Sequence, residues 1–364
     1  MHLCWLPARR VWWLLMLCLL AVAGCSQPAA SPQPVSATDA SAAEGQPVAA
    51  GPDGEPASLL SRSAAVAPPL PIGAPDWQPA ASDLAAYRQA IARLLPLLET
   101  GSPAQRLAAH WLAADDRQAL DPAAALAISL PGAGQDPLLA HIALISCPQL
   151  PECPRAQLLA VTEALAAGDG NLQLMRLQLA DPAQQPALWE AVSQAERFGD
   201  GHQLALALLL RSTEPLPATQ AVQQLRLQQV TGQAAAAAMP SLRAFAQRCP
   251  VAVEVTAHVL QCRRVAALMA DSPSLLTAGL GTGLMGRLAL DPAQRAYWAG
   301  RYRQLQWLTQ AGNAVLAAGH QDARFVQDWS QLGDRQAYAN LLQRAGLPAQ
   351  PPARWQPGMP IPGY

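Results

Sequence analysis

Helix-start signals recur along this chain and constrain its fold more than any other feature. Asp-Pro occurs at Asp121-Pro122, Asp136-Pro137, Asp181-Pro182 and Asp291-Pro292. In each pair the Asp carboxylate can accept from the free amides of a first helical turn, and Pro lacks the amide that would go unpaired. Ser102-Pro103-Ala104-Gln105 has the spacing of a capping box. Ser82 precedes Leu84, Tyr87, Ile91 and Leu95, which fall at helical spacing. Gly168, Gly199, Gly312 and Gly333 are the expected stops. Composition agrees with this punctuation. The chain holds 76 Ala and 56 Leu against 22 Val plus Ile and 3 Phe. Ala and Leu cost least in a helix, and an extensive sheet needs the β-branched and aromatic residues that are scarce here. The expectation is an all-α body of stacked helical hairpins, a solenoid-like array of roughly a dozen short helices.

Charge narrows the function classes. All 24 basic residues are Arg, and the formal net charge is −1. A protein that lives on nucleic acid usually carries a basic stripe. Between residues 82 and 346, 20 Arg meet 20 Asp plus Glu. No nucleic-acid partner is expected of such a neutral body.

The amino terminus carries the most specific signal. Arg9 and Arg10 precede an unbroken apolar run of 13 residues, Val11 to Ala23. A membrane-spanning helix needs about 20, so the run has the length of a signal-peptide core. It ends in Val22-Ala23-Gly24-Cys25, which resembles the bacterial lipobox position by position. The resemblance implies that residues 1–24 are a lipoprotein signal peptide. It also implies that Cys25 becomes the first mature residue, diacylated on sulfur and acylated on its amine. Several acyl chains give durable anchoring where one is marginal. Ser26, rather than Asp, follows the lipidated position, which by the same resemblance implies the outer membrane, with the body facing the periplasm. The mature chain would carry 22 Arg against 25 acids.

Residues 25–81 then read as a lipidated Cys and a disordered tether. Eleven Pro fall between residues 26 and 81, among Ala, Ser, Gly and Gln and without apolar periodicity. Residues 82–346 read as the helical domain. The tail 347–364 carries six Pro and is expected to run extended, with Trp355 and Tyr364 available to pin it to the body.

Seven Cys are present: Cys4, Cys18, Cys25, Cys147, Cys153, Cys249 and Cys262. Two lie in the signal segment and one would take the lipid. Four remain, in a protein expected to reach an oxidising compartment. Locality predicts disulfides Cys147–Cys153 and Cys249–Cys262. His141 and His258 do not give these cysteines a compact zinc-binding spacing, so no metal or cofactor is expected.

Residues 186–217 resemble a divergent tetratricopeptide unit, a helix pair of about 34 residues with Trp, Leu-Gly, Ala and Pro markers. Trp189, Ala205 and Pro217 fall at marker positions, while Val192 and Ser193 occupy the Leu-Gly places. Gly168-Asp169 and Gly199-Asp200 recur 31 positions apart. The resemblance implies a helical hairpin and no particular ligand.

Motifs for chemistry are sparse. Gly281-Thr282-Gly283-Leu284-Met285-Gly286 matches a dinucleotide fingerprint in letters, but that motif works only after a strand, and the preceding residues read as helix. Gly279, Gly283 and Gly286 instead share one helix face, where small residues would admit a neighbouring helix. His110-Trp111 with Asp115 and Asp116 is the most polar cluster beside an aromatic, at an expected exposed helix end. No catalytic residue emerges. Arg295, Tyr297, Trp298, Arg301, Tyr302, Arg303 and Trp307 form the densest aromatic and Arg segment, a composition favoured at interface hot spots. The expected function is a membrane-anchored envelope lipoprotein whose helical body binds an envelope protein or assists an assembly. The alternative is an envelope enzyme acting on cell-wall glycan or peptide, with a site assembled from distant residues such as His110, Asp115 or Glu190.

Overall fold

The helix-start chemistry read from the sequence governs where most helices begin. A computed structural model describes residues 78–114, 121–237, 256–320 and 323–363, with Phe245, Arg248 and Cys249. All of them belong to the unit Val66–Tyr364. The expected signal segment, Cys25, most of the expected tether, Asp115, Asp116 and Tyr364 lie outside the described residues. Among those described there are fifteen α-helices and no strand, only an isolated bridge between Asp169 and Arg197.

Helix α1 spans Ala81–Glu99 and buries Tyr87, Ile91, Leu94 and Leu98. Ser82 does not cap it: Ala80 is the extended cap residue, and Ser82 already lies inside the first turn. Helix α2 (Pro103–Ala113) starts at the predicted capping box, both halves of which form. Ser102 N donates to Gln105 Oε1 at 2.9 Å and Gln105 N to Ser102 Oγ at 3.3 Å. Asp121 caps α3 (Pro122–Ser129), and Asp136 caps α4 (Pro137–Ser146) with a 2.8 Å bond from Leu138 N. Helices α5 (Arg155–Val161), α6 (Glu163–Ala166) and α7 (Gly170–Leu179) follow. Asp181-Pro182 opens a turn instead of a helix: Gln184 N donates back to Asp181 O, and α8 (Gln185–Gln194) begins after it with its own Pro186 near the start.

Helices α9 (Gly201–Ser212) and α10 (Gln220–Ala237) form the next hairpin. Then come α11 (Ala257–Ala270), α12 (Leu275–Arg287) and α13 (Pro292–Val315), the last capped by Asp291. A π-helical turn, Leu316–His320, extends α13. Helices α14 (Ala323–Leu332) and α15 (Asp334–Arg344) meet at Gly333, whose φ of 84° is the left-handed region that glycine tolerates. Gly312 does not stop a helix. It lies inside α13, where Tyr338 of α15 packs so closely that an added Cβ would sit 1.9 Å from the ring.

Sequence-adjacent helices pair as antiparallel-type hairpins: α1 with α2, α3 with α4, α7 with α8, α9 with α10, α11 with α12, α12 with α13, and α14 with α15. Further contacts fold this array back on itself. Helix α9 also packs against α14, α2 and α4, α10 against α1, and α13 against α15. Within residues 186–217, α8 packs chiefly on α7 and α11 while α9 packs on α10 and α14. The buried side chains form three clusters. Helix α7 joins two of them, sending Leu174 and Leu177 into one and Leu172, Met175 and Leu179 into the other.

Both predicted disulfides are present. Cys147 and Cys153 have Cα atoms 5.3 Å apart, and Cys249 and Cys262 are 5.7 Å apart. Closing loops of these lengths is worth about 2 and about 3 kcal/mol in the chain-entropy model. Cys249, Cys262 and Cys147 are buried, whereas Cys153 is half-buried. Graded reduction of the native protein is therefore expected to open Cys147–Cys153 first, and alkylation mapping of the released thiols checks the order. Release of Cys249 and Cys262 first would contradict it.

Candidate functional site

Two turns of near-identical sequence, Gly168-Asp169-Gly170-Asn171 and Gly199-Asp200-Gly201-His202, build a polar, partly buried region. Each Asp caps the helix that follows. Asp169 accepts from Asn171 N at 3.0 Å, and Asp200 from His202 N at 3.0 Å. The turns also bind each other. Gly170 N donates to Arg197 O at 2.8 Å, Asn171 Nδ2 to Gly199 O at 3.0 Å, and Gly199 N to Asp169 Oδ1 at 3.2 Å. Arg197 completes an ion pair with Asp169 at 3.4 Å. Glycine is required by proximity here. A Cβ at Gly199 would lie 2.4 Å from Asp169 Oδ2, and one at Gly201 would lie 2.3 Å from His141 Nε2. The repeat at 31 residues is thus a stacking device in which one capping aspartate also holds the next turn.

A second carboxylate approaches Asp200 from the far end of the chain. Gly333 aims the first residue of α15, Asp334, so that its Oδ1 accepts from Leu275 N, the first amide of α12, at 2.6 Å. Burial pushes the Asp334 carboxyl up to about 7, and the neighbouring Asp200 charge adds to the rise; the amides of Leu275 and Arg335 and the Arg335 guanidinium oppose it. Burial likewise raises Asp200 to about 6, against the amides of His202 and Gln203. Burial drives His202 the other way, down to about 4, so its ring is neutral near pH 7. That ring lies tilted against Trp329, with centroids 4.8 Å apart, and its Nε2 has no partner among the described residues. Three helix N-termini therefore meet over two carboxyl groups that both resist ionisation. Both have an oxygen already engaged by backbone amides: Asp200 by those of its own helix α9, and Asp334 by Leu275 N, which ties α15 to α12. Sequence spacing does not reveal it, because Asp200 and Asp334 are remote in the chain; the only hint is the repeated Gly-Asp-Gly.

The aromatic and Arg segment separates into two parts on α13. Trp307 is fully buried, donates from Nε1 to Pro348 O at 2.8 Å, and meets Trp355 edge-on at 5.2 Å. Arg303 donates to the carbonyls of Pro352 (2.6 Å), Ala353 (3.0 Å) and Trp355 (2.9 Å). These two residues hold the tail, whose Trp355 and Ile361 are buried in the core. The tail is pinned through Trp355, as expected, but it runs in turns rather than extended, with Trp355 N donating to Pro352 O and Met359 N to Gln356 O. Arg301 pairs with Asp271 at 2.9 Å, reaches Ala270 O, and lies over the Trp298 ring. Tyr297 and Tyr302 are exposed, as is Arg295. Tyr297 touches Trp298 edge-on at 5.0 Å.

The other singled-out residues do not converge. His110 lies on α2, with Trp111 in the first core cluster; burial lowers its pKa, opposed by Asp121. Glu190 lies on α8 and accepts from Gln194 and Gln261. Gly281 to Gly286 sit mid-helix in α12, with no strand before them. The stripe Gly279, Gly283 and Gly286 is not the close-packed one. Gly281 carries that contact, its missing Cβ being 2.4 Å from Ala270 N, whereas nothing lies within 4 Å at Gly279. An apolar groove of about 420 Å³ runs beside the Cys147–Cys153 loop, between Leu126 and Leu130 of the α3 side and Leu150, Pro151 and Pro154. It includes neither Asp200 nor Asp334. No protein-family model, curated protein or solved structure matches the chain.

Proposed function

We propose that the chain is a lipid-anchored protein of the bacterial outer membrane whose helical body docks a partner protein of the envelope. The carrying observation is the order Arg9-Arg10, the apolar run to Ala23, and Val22-Ala23-Gly24-Cys25, followed at once by a Pro-rich segment. The two disulfides of the body suit an oxidising compartment. The docking half of the reading draws support from α13, where Tyr297 and Tyr302 are exposed beside Arg295 instead of being packed into the core. Mass spectrometry of the mature amino-terminal peptide is expected to find a lipidated Cys25. Cys25→Ala should abolish palmitate incorporation and shift the chain out of the outer-membrane fraction. A mature chain that begins elsewhere, or carries no lipid, would overturn the anchoring. Purification of the tagged mature protein should retain a stoichiometric envelope partner, and a monomeric preparation after in-cell crosslinking would overturn the docking.

The enzyme reading has one observation in its favour, the Asp200–Asp334 pair with raised carboxyl pKa values. Both carboxylates are occupied by helix-terminal amides, so partner docking is the function the geometry supports better.

A further inference from the structure

The turn that joins α11 to α12, with its flanking residues Ala270 and Leu275, is held by two other helices, and both holds use the Ala270 carbonyl. The first hold comes from α15. Its first residue, Asp334, accepts from Leu275 N at 2.6 Å. The first amides of a helix have no intrahelical acceptor, so this carboxyl satisfies a group that α12 itself cannot. Arg335 adds its amide to Pro273 O at 3.1 Å and its guanidinium to Ala270 O at 3.3 Å. Gly333 lies so close that an added Cβ would sit 2.5 Å from Pro273 Cβ. The second hold comes from α13. Arg301 donates to Ala270 O at 3.2 Å and pairs with Asp271 at 2.9 Å. Its guanidinium carbon lies 5.3 Å from the centre of the Trp298 ring, and Tyr297 meets that ring edge-on. Direct contacts therefore run from the buried Asp334 carboxyl, through the turn and Arg301, to the exposed aromatic face of α13.

The turn also lies on a seam. The buried side chains of α11 and α12 belong to one core cluster, with Trp298 packed against it. Those of α15 and of the carboxy-terminal half of α13 belong to another, which Leu275 reaches. The bridging hydrogen bonds named above are polar contacts that water can replace, each worth only about 0.5–1.5 kcal/mol net. Local opening follows such weak boundaries in preference to a packed core.

We propose that Asp334 is a proton-controlled latch on the docking face: while its carboxyl is protonated the turn stays clasped and Arg301 stays over Trp298, and ionisation releases the turn and unseats Arg301. The inference rests on the docking half of the proposed function and names its regulation. The groups that face the latch are Asp200 of α9 with His202 beside it, and Arg335 and the Tyr338 hydroxyl of α15. Asp271 of the turn and Arg301 of α13 act through Arg335. Burial and the Asp200 charge favour the neutral Asp334 carboxyl, while the amides of Leu275 and Arg335 and the Arg335 guanidinium favour the charged one; the first pair prevails, and the carboxyl stands at about 7. Released into water it returns to about 4, so ionisation favours the open turn. From this group alone the open-to-closed ratio should rise on the order of a hundredfold between pH 5 and pH 8.

The test uses the native protein with both disulfides intact and reads two signals. One is hydrogen exchange of the Leu275 amide, corrected for the base catalysis of exchange itself. The other is the fluorine resonance of Trp298 in protein labelled with fluorotryptophan, assigned by its loss in Trp298→Phe. From pH 5 to pH 8 the protection of Leu275 should fall about tenfold or more, and the Trp298 resonance should move over the same range. Asp334→Asn keeps an oxygen for Leu275 N and cannot ionise, so it should remove most of both changes. Arg301→Gln should leave the exchange pH-dependent and hold the Trp298 resonance still. Partner retention should fall from pH 6 to pH 8 in the wild type and stay constant in Asp334→Asn. Changes of full size in Asp334→Asn would place the controlling proton elsewhere and overturn the proposal. So would equal protection of Leu275 and of the buried Leu308 at every pH, which would make the opening global. A Trp298 resonance that stays fixed while Leu275 exchange titrates would overturn it too, as would a partner retained equally at pH 6 and pH 8. If both signals titrate together and no partner is retained at any pH, the docking function falls and the latch stands.

Discussion

Asp334→Asn is expected to stabilise the protein at pH 8 by about 3 kcal/mol and at pH 5 by only about 1 kcal/mol. The carboxyl is pushed up to about 7 in the folded chain, chiefly by burial, from an unfolded value near 4. A carboxyl raised in this way favours folding in its protonated form. That contribution is complete below the unfolded pKa and fades as pH rises through the folded one. About three units at 1.36 kcal/mol each bound the effect near 4 kcal/mol. Asp200 acts in the same direction over a lower range, its folded value being about 6. His202 opposes both: lowered to about 4, it stabilises above its unfolded value and loses that contribution as pH falls toward 4. Two carboxyls outweigh one imidazole, so wild-type stability should decline from pH 5 to pH 8. Asn keeps an oxygen for Leu275 N and removes the charge, flattening the profile. The groups facing the site are Asp200, His202, Arg335 and the Tyr338 hydroxyl, with Arg301 and Asp271 acting through Arg335. Urea melts of both proteins at pH 5 and 8 check the expectation. Asp334→Ala, which strands the Leu275 amide, should destabilise at both pH values. Equal destabilisation by Asp334→Asn at both would show that the hydrogen bond matters and the charge does not.

That site was illegible in the sequence for a definite reason. N-caps are local: Ser102, Asp121, Asp136 and Asp291 act on amides two or three residues away, so spacing alone identifies them. Asp181 fails because a tight turn satisfies the chain first and defers the helix to Gln185. The disulfides were legible because each joins cysteines close in sequence. By contrast, Asp334 reaches Leu275 and Asp200 only because tertiary packing of α15 on α13 and α14 brings its first residue there, and no pattern near Asp334 announces that neighbour. Arg303 and Trp307 show the intermediate case. Their type marks a contact surface, but only the folded tail shows that this contact is intramolecular, leaving Arg295, Tyr297 and Tyr302 as the exposed remainder. The proposed anchor is open to sequence reading for the opposite reason: a lipobox-like motif is read by position, and needs no tertiary structure to be proposed.

The glycines of α12 give the sharpest contrast between a face inferred from spacing and one set by packing. Gly281→Ala is expected to destabilise by about 3 kcal/mol or more, whereas Gly283→Ala should stabilise by about 0.5–1 kcal/mol. At Gly281 a methyl group would lie 2.4 Å from Ala270 N, 2.6 Å from Ala266 O and 2.7 Å from the Met269 carbonyl carbon. All three atoms belong to the backbone of α11, which its own helical hydrogen bonds hold rigid, so no flexible side chain can swing aside. Relief requires the α11–α12 hairpin to spread, opening the contacts of Val265, Ala266 and Met269 in a core packed at crystal-like density. At Gly283 the nearest atom is Tyr302 Cε2 at 3.8 Å, an ordinary contact, and the added methyl lowers the entropy cost of a helical residue. Urea denaturation of the two variants, with unchanged slopes, measures both effects. The reverse order would place the close approach on the Gly279, Gly283 and Gly286 stripe after all. Because Trp298 and Tyr302 rest beside Gly286 and Gly283, spreading that hairpin should also displace the exposed face of α13. Gly281→Ala is therefore expected to weaken partner retention, while Gly283→Ala, which leaves the hairpin closed, should keep it.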